Sequence, residues 1–466
     1  MFKDLLRKKS IQTFKEIEAD QEHHLKRTLT AFDLTCLGIG GIIGVGIFVI
    51  TGIAAAKYAG PSVTLSFVIA MMACIFTALC YAEFASLLPV AGSAYNYSYA
   101  TMGELIAWII GWDLVLEYVV GSIAVAIGWS GYLVNILKTI GWDMPVWCSA
   151  APGSAPGAII NLPAAVIVLV LTILLVIGIK ESARFTTAMV FVKLTAVLTF
   201  IAVASSHVQT SNWHPFMPFG FNGMITAAAI VFFAYIGFDA ISTAAEETKN
   251  PQRDMPIGII TSLVICTILY IVVSAILTGV VSYKELNTPA PIAYALTSLG
   301  FTWGSALVSA GAVTGLTSVL IVLLMGQPRI FFAMSRDGLL WPWASKVHPK
   351  FKTPYRTQIL TGAVVALFAA FIDIGTAAQL TNIGTLFAFA LVCGGIIVLR
   401  KSHPHLHRSF RCPWVPFFPL VGIGFCVWLM LSLSMVTWIR FGVWLAIGLA
   451  IYFGYSRRHS KLAGPL

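Results

Sequence analysis

Several ionisable side chains lie inside long apolar segments of the sequence. Lys193 stands about a third of the way along one such segment, and Glu117 follows Asp113 by four residues in another. That spacing places both carboxyl groups on one face of a helix. An ionisable residue at such a depth in a membrane is costly and marks a candidate functional site. Because burial disfavours the charged form of a lysine, Lys193 is a candidate for binding and releasing a proton.

Glu117 is the deeper of the two carboxyl groups, and it could pair with Lys193 or form part of a proton path. A structural alternative stays open for both residues: Lys193 could remain charged and hold two helices together. We interpret Asp113, Asp239 and Glu83 as structural members of polar networks.

A run of glycines indicates a second kind of chemistry, in which the backbone itself binds a ligand. Residues 38–46 contain five glycines in nine positions, and each weakens a helix by roughly 1 kcal/mol relative to alanine. A single Gly-x-x-x-Gly would indicate close helix packing, but this density predicts an unwound helix. A second apolar segment carries Gly237 and the carboxylate of Asp239 at mid-length. Unwound backbone is tolerated in a bilayer where it lines a cavity. The amides and carbonyls freed there match the carboxylate and ammonium groups of an amino acid.

The composition identifies the solvent of this chain as lipid. Of its 466 residues 58% are hydrophobic and 10% are charged, and the mean hydropathy is +0.87. A soluble domain carries roughly 25% charged residues. The sequence contains no Cys-x-x-Cys or His-x-x-x-His spacing, so we expect no metal site, no disulfide framework and no cofactor.

Apolar runs of about 20 residues, the length that crosses a bilayer, predict an all-α integral membrane protein of about twelve transmembrane helices. The runs lie near residues 33–57, 62–88, 104–138, 159–180, 184–206, 222–248, 257–282, 302–334, 358–374, 379–399, 414–436 and 439–456.

The basic residues between these segments predict the orientation. With an even number of spans, 24 lysines and arginines fall on the side of both termini and 3 on the opposite side. The positive-inside rule therefore predicts that both termini are cytoplasmic. The net charge of +10 is thus a topology signal that matches anionic lipid headgroups, and we expect no nucleic-acid partner.

The two glycine-interrupted segments occupy the same position in two successive groups of five spans. Such a pairing indicates an inverted-repeat transporter with a binding site at the middle of the membrane. We predict a basic N-terminal arm, a first repeat, a second repeat, two further helices and a cytoplasmic tail, over residues 1–32, 33–206, 222–399, 400–456 and 457–466.

Four motifs resemble those of the amino acid–polyamine–organocation (APC) transporters, and most closely bacterial members of the cationic amino acid transporter branch. Besides the glycine run, they are Glu83-Phe-Ala-Ser-Leu-Leu-Pro89 leading into Gly92-Ser-Ala-Tyr95, Glu246-Glu-Thr-Lys-Asn-Pro251, and Arg329 with Ala333-Met-Ser-Arg-Asp-Gly338. The resemblance covers nearly the whole chain. It implies a leucine-transporter-like five-plus-five inverted repeat with broken helices 1 and 6. It also implies a bacterial inner-membrane location and alternating access to a site between helices 1, 3, 6, 8 and 10.

Carried over by position, the resemblance also implies a set of binding residues. The substrate carboxylate would meet the amides of Val45 and Gly46, and Phe233 would be an aromatic gate. The substrate ammonium would meet carbonyls at Ile42, Phe233, Ala234 and Ile236. The full expected set is Ile42, Ile43, Gly44, Val45, Gly46, Phe233, Ala234 and Ile236.

Two further implications concern the ion and the departures from the family. Lys193 would occupy the position that holds sodium in sodium-coupled relatives, bond carbonyls of helix 1, and act with Glu117 in proton coupling. Many relatives carry Ser or Thr in place of Val45, so a hydroxyl is missing here while the amide remains. Pro328 stands where relatives have a residue with an N–H, and nothing in the sequence explains it.

We therefore expect a transporter, not an enzyme, that couples protons to the uptake of neutral, small or branched-chain amino acids. The expected pocket side chains, among them Ile43, Val319, Leu320 and Leu323, are apolar and favour neutral substrates. Exchange without net proton movement and uptake of cationic amino acids remain alternatives. A channel would need a continuous polar helix face, and no span shows one. The lipid bilayer, protons and an amino acid are the expected partners, and an accessory subunit is left open.

Overall fold

A computed structural model describes residues 7–9, 28–87, 93–178, 183–351 and 353–463, and these are helical with no strand beyond two isolated bridges. Most of the predicted N-terminal arm and the motif residues 88–92 lie outside these ranges. The predicted all-α class is confirmed.

The first predicted span is a helix that is interrupted at the glycine run. Helix α1 (Ala31–Ile42) begins at a capping box in which Thr30 and Asp33 bond to each other's backbone amides. It ends where Ile43 adopts an extended ψ of 100°. The chain becomes helical again over a π-helical turn (Gly46–Ile50), α2 (Thr51–Ala54) and a second π-helical turn (Ala55–Ala59).

The sixth predicted span is interrupted in the same way. Helix α9 (Gly220–Val231) continues as one 3-10 turn over Phe232–Tyr235 and stops at Ile236, whose ψ is 134°. Gly237 has φ 119°, a backbone conformation that glycine adopts at no steric cost. A 3-10 helix, Asp239–Glu247, follows.

The other α-helices, numbered in chain order, include one at each remaining predicted segment. They are α3 (Val63–Leu87), α4 (Ser93–Thr101), α5 (Glu104–Thr139), α6 (Val146–Ser149), α7 (Leu162–Ile177), α8 (Ala183–Ala204), α10 (Pro251–Val280), α11 (Pro291–Ser298), α12 (Thr302–Arg336), α13 (Tyr355–Phe371), α14 (Ile374–Ser402), α15 (Phe417–Leu431), α16 (Met435–Ile451) and α17 (Arg457–His459). The short α4, α6, α11 and α17 lie outside those segments.

Seven helical stretches in the described part of the chain are long and apolar enough to cross a membrane, and four shorter apolar helices accompany them. The first stretch, residues 31–87, contains two of the predicted spans, which the sharp turn at Gly60 (φ 62°) separates. Apolar helices therefore lie at all the predicted positions. The count of twelve crossings and the inverted repeat stay predictions.

Helix α5 packs along α12 and α14 in the middle of the molecule. The indole N–H of Trp129 donates to the hydroxyl of Thr317 at 2.9 Å, and the Asn135 amide donates to the Ser309 hydroxyl at 2.9 Å. Further toward the start of α5, the ring of Tyr118 lies against Gly326. These contacts run in opposite directions along the two helices, so α5 and α12 are antiparallel.

Glu83 is fully buried near the end of α3 and is surrounded by positive charge. Arg400 donates to both of its oxygens at 3.0 and 2.7 Å, and Nε of the buried Arg408 lies 3.1 Å from the carboxylate. The amide of Cys412 donates to the same group at 2.8 Å. The carboxylate therefore joins α3 to the end of α14 and to the loop that follows it. The interpretation of Glu83 as structural agrees with these contacts.

We predict that Glu83→Gln lowers the thermal-unfolding midpoint of the purified protein. The substitution leaves the buried Arg408 guanidinium without its counter-charge, and breaking a buried ion pair costs roughly 3–5 kcal/mol. Thermal unfolding in detergent measures the effect, with Asp143→Asn as the control because Asp143 is exposed. Equal midpoints for Glu83→Gln and the wild type would contradict the structural role.

Candidate functional site

The two helix breaks approach each other closely at two backbone contacts. A Cβ atom added at Gly237 would lie 2.7 Å from the carbonyl oxygen of Gly41, and one added at Gly46 would lie 2.3 Å from the Cα of Ala234. Glycine is therefore required at these positions, because no side chain fits between the two backbone segments. The glycine run, interpreted from the sequence as a site of unwinding, also provides this close approach.

A cavity of about 50 Å³ opens where the breaks meet α5, α12 and α14, several times the roughly 10–15 Å³ that one water needs. Its walls are mainly apolar, with two carboxyl groups and two hydroxyl groups. The lining residues are Gly41, Ile42, Gly44, Val45, Gly46, Glu117, Tyr118, Gly121, Val125, Phe233, Ile236, Gly237, Asp239, Val319, Val322, Leu323 and Thr381.

Most of the predicted binding residues line this cavity. Six of the eight do so: Ile42, Gly44, Val45, Gly46, Phe233 and Ile236. Ile43 and Ala234 are buried next to it without lining it. The helical periodicity that would orient a side chain is lost at a break, which explains why these two could not be placed from the sequence.

Backbone donors face the cavity at the start of the second half of helix 1. Among the residues that the structure describes, the amides of Val45 and Gly46 donate no hydrogen bond, because the first amides of a helix have no acceptor within it. The Val45 side chain points elsewhere, against Gly128 of α5, where an added Cβ would lie 2.3 Å from a Val45 methyl group. The two amides are therefore an available site for an anionic group.

Backbone acceptors lie on the facing ends of the first half-helices. The hydroxyl of Tyr270, on α10, lies 2.8 Å from the carbonyl oxygen of Ile42 and 2.8 Å from that of Ala234. Tyr270 could not be identified from the sequence, where it is only a tyrosine at the middle of an apolar span. A buried tyrosine hydroxyl needs a partner, and each carbonyl keeps a second lone pair for another donor.

Lys193 lies outside the cavity and contacts the other side of helix 1. Its side chain is fully buried, and Nζ donates to the carbonyl of Gly40 at 2.6 Å. Its methylene chain packs on Gly315 of α12, where an added Cβ would lie 2.6 Å from Cγ. One lysine thus links α8 to α1 and α12, at the turn before the break.

Glu117 faces the cavity, as does Asp239 from the other broken helix. An oxygen of Asp239 accepts the Gly237 amide at 3.2 Å, and the Thr385 side chain lies beside Glu117. The pocket expected to be apolar therefore contains two acidic groups. Of its expected apolar side chains, Ile43 and Leu320 do not line it, while Val319 and Leu323 do.

The sequence of this chain is similar to those of known transporters. Residues 29–453 match the family model described as amino acid permease. The chain is 54% identical to the branched-chain amino acid permease BcaP of Bacillus subtilis (strain 168), over 98% of this chain and 99% of the relative. It is 51% identical to the methylthioribose transporter of the same organism, over 98% and 99%. A vacuolar cationic amino acid transporter 4 of Arabidopsis thaliana is 38% identical over 86% of this chain and 68% of the relative.

We predict that Gly46→Ala destabilises the protein, because its methyl group would overlap the backbone of Ala234. Overpacking costs typically about 1–3 kcal/mol. The matched control is Gly424→Ala on α15, where an added Cβ meets nothing within 4 Å. Thermal unfolding should separate the two variants, and a midpoint for Gly46→Ala as high as that of the control would contradict the close contact.

Proposed function

The chain belongs to the amino acid permease family, and we propose that it carries neutral, small or branched-chain amino acids together with protons by alternating access. The family consists of membrane permeases, which move a substrate without converting it. Beyond family membership, we propose the substrate class, the proton as driving ion, a location in a bacterial inner membrane and cytoplasmic termini.

The observation that carries the proposal is the pairing of free amides with carbonyls across one cavity. The Val45 and Gly46 amides suit a carboxylate, since the N-terminal end of a helix carries partial positive charge. The carbonyls at the facing C-terminal ends suit an ammonium group: Ile42 lines the cavity, and Ala234 is buried next to it. A free amino acid has these two charges on one carbon, so a single small ligand can bind both ends.

The side-chain half of the cavity favours neutral substrates. Val125, Val319, Val322 and Leu323 form an apolar wall, and burying a branched aliphatic side chain there is favourable. The name of the branched-chain relative supports the same class. Uptake of cationic amino acids is the second candidate, because Glu117 and Asp239 also line the cavity and cationic transporters are among the relatives.

Lys193 supports proton coupling through its bond to Gly40. A protonated amine makes a charge-assisted hydrogen bond, roughly twice as strong as a neutral one. Loss of the proton would weaken the link between α8 and the half-helix whose end borders the substrate, so substrate binding and protonation would influence each other. An exchanger without proton coupling has no need of this titratable group.

We predict that Lys193→Met abolishes proton-driven accumulation. Methionine keeps the apolar stem that packs on Gly315 but cannot donate to Gly40 or bind a proton. The measurement is uptake of labelled leucine and alanine into proteoliposomes with an inward proton gradient, at equal amounts of folded protein. Lys57→Met is the control, since Lys57 is exposed at the end of the same broken helix.

Two outcomes would contradict proton symport. Wild-type uptake could require internal amino acid and ignore the gradient, which would identify an exchanger. Lys193→Met could also accumulate substrate as strongly as Lys57→Met, which would make Lys193 a structural residue.

We predict that Leu323→Ala raises the KM for leucine by roughly tenfold and the KM for alanine much less, as expected when an apolar pocket loses contact with a branched side chain. Leu367→Ala is the control because Leu367 is 58% exposed on α13. Competition with unlabelled valine, lysine and methylthioribose completes the assay. Valine should compete, and stronger competition by lysine or methylthioribose would overturn the neutral amino-acid assignment.

A further inference from the structure

A stripe of polar residues leaves the cavity along the contact between α5 and α14. On α14 the spacing of Thr381, Gly384 and Thr385 places the three on one face. Thr381 lines the cavity, and Thr385 lies beside Glu117. One turn further along α5, Asp113 packs against Gly384, where an added Cβ would lie 2.6 Å from its Oδ1. The glycine leaves room for the carboxyl group.

No hydrogen bond in the described part of the chain explains the buried position of Asp113. It is fully buried, and neither carboxyl oxygen has a hydrogen-bond partner in the described part of the chain. Glu83, by contrast, is buried among two arginines and an amide. A buried carboxylate without partners is strongly disfavoured, so Asp113 rests as the neutral acid with a proton it can give up.

We propose that Asp113 is a second proton-binding carboxyl group of the transport cycle, which receives the proton from Glu117 and releases it toward the cytoplasm. This inference rests on the proposed proton symport. Four residues of helix separate the two groups by about 6 Å along the axis, and Asp113 is the nearer to the end of α5 that the basic residues assign to the cytoplasm.

The transfer balances with oxygen–hydrogen bonds alone. Asp113 releases its proton to cytoplasmic water and becomes a carboxylate. The proton of Glu117 then moves to an oxygen of Asp113, and Glu117 is left as the carboxylate that binds the next proton from the cavity. One proton crosses for each cycle.

On α5 itself, the buried Glu104 is nearer to the cytoplasmic end than Asp113, and it accepts hydrogen bonds from Tyr99 and Tyr452. Asp239 lines the same cavity as Glu117. Helices α6 and α7, which also pack on α5, contain no Asp, Glu, Lys, Arg or His. The ionisable groups of the other helices that pack on α5 are Tyr95, Tyr97 and Tyr99 of α4, Arg329 and Arg336 of α12, Tyr355 and Arg356 of α13, Arg400 and Lys401 of α14, and Arg440 of α16. None of them hydrogen-bonds to Asp113.

The test separates substrate exchange from proton movement in one preparation. Proteoliposomes with wild type, Asp113→Asn or Asp113→Glu are assayed for leucine counterflow at equal pH, and for accumulation under an inward proton gradient over a range of pH. Asn keeps the shape of Asp and cannot titrate. We expect Asp113→Asn to keep counterflow and to lose gradient-driven accumulation by about tenfold or more, and Asp113→Glu to restore it.

An infrared difference spectrum between high and low pH gives a readout that does not depend on transport. The wild type should show a carboxylic-acid carbonyl component that Asp113→Asn lacks and that Asp143→Asn, at an exposed site, retains, while the component from Glu117 remains in both variants. Presence of the full band in Asp113→Asn would overturn the assignment.

The remaining outcomes are equally decisive. Accumulation by Asp113→Asn at the wild-type level overturns the inference while proton symport stands. Loss of counterflow together with accumulation makes Asp113 a structural residue and also overturns it. If the wild type itself exchanges leucine but ignores the gradient, the proposed symport fails, and that result is recognised from the wild type alone.

Discussion

Backbone groups that leave a helix inside a bilayer must find partners within the protein, and this constraint explains the arrangement of the site. Two breaks, at residues 43–45 and 236–238, free several amides and carbonyls where no bulk water is present. The single hydroxyl of Tyr270 lies within hydrogen-bond distance of a carbonyl from each break, and Lys193 donates to the carbonyl of Gly40 in the last turn of α1. Among the described residues at the first break, the amides of Val45 and Gly46 donate no hydrogen bond, and these are the groups that we propose bind the ligand.

The same constraint separates structural from functional ionisable groups. Glu83 is buried with its charge balanced and its oxygens bonded, which suits a fixed connection between helices. Lys193, which is also fully buried, donates to a backbone carbonyl of a half-helix, and it is the group to which we assign proton binding in the proposed function.

The sequence predicts the breaks and the apolar helices well because both depend on local composition. Glycine density predicted the interruption in helix 1, and the spacing of four predicted that Asp113 and Glu117 share a face. Tyr270 could not be predicted, since its partners are 228 and 36 residues away in the chain and nothing local identifies it. The two acidic groups in the pocket wall, Glu117 and Asp239, were also missed as a pair, because their meeting at one cavity depends on tertiary packing. Ile43 and Ala234 were placed at the cavity by analogy, and they are buried next to it without lining it, because helical periodicity no longer sets the direction of a side chain at a break.

The one departure from the family pattern at the site has a packing explanation. A hydroxyl in place of Val45 could add a donor for an anionic ligand, yet the Val45 side chain lies against Gly128 of α5. The Val45 side chain occupies the space that Gly128 leaves on α5, so it determines how closely the break approaches α5. The amide, whose direction the backbone determines, is then left facing the cavity. In the proposed function, ligand contact at this position therefore belongs to the backbone amide, and the side chain sets the spacing to α5.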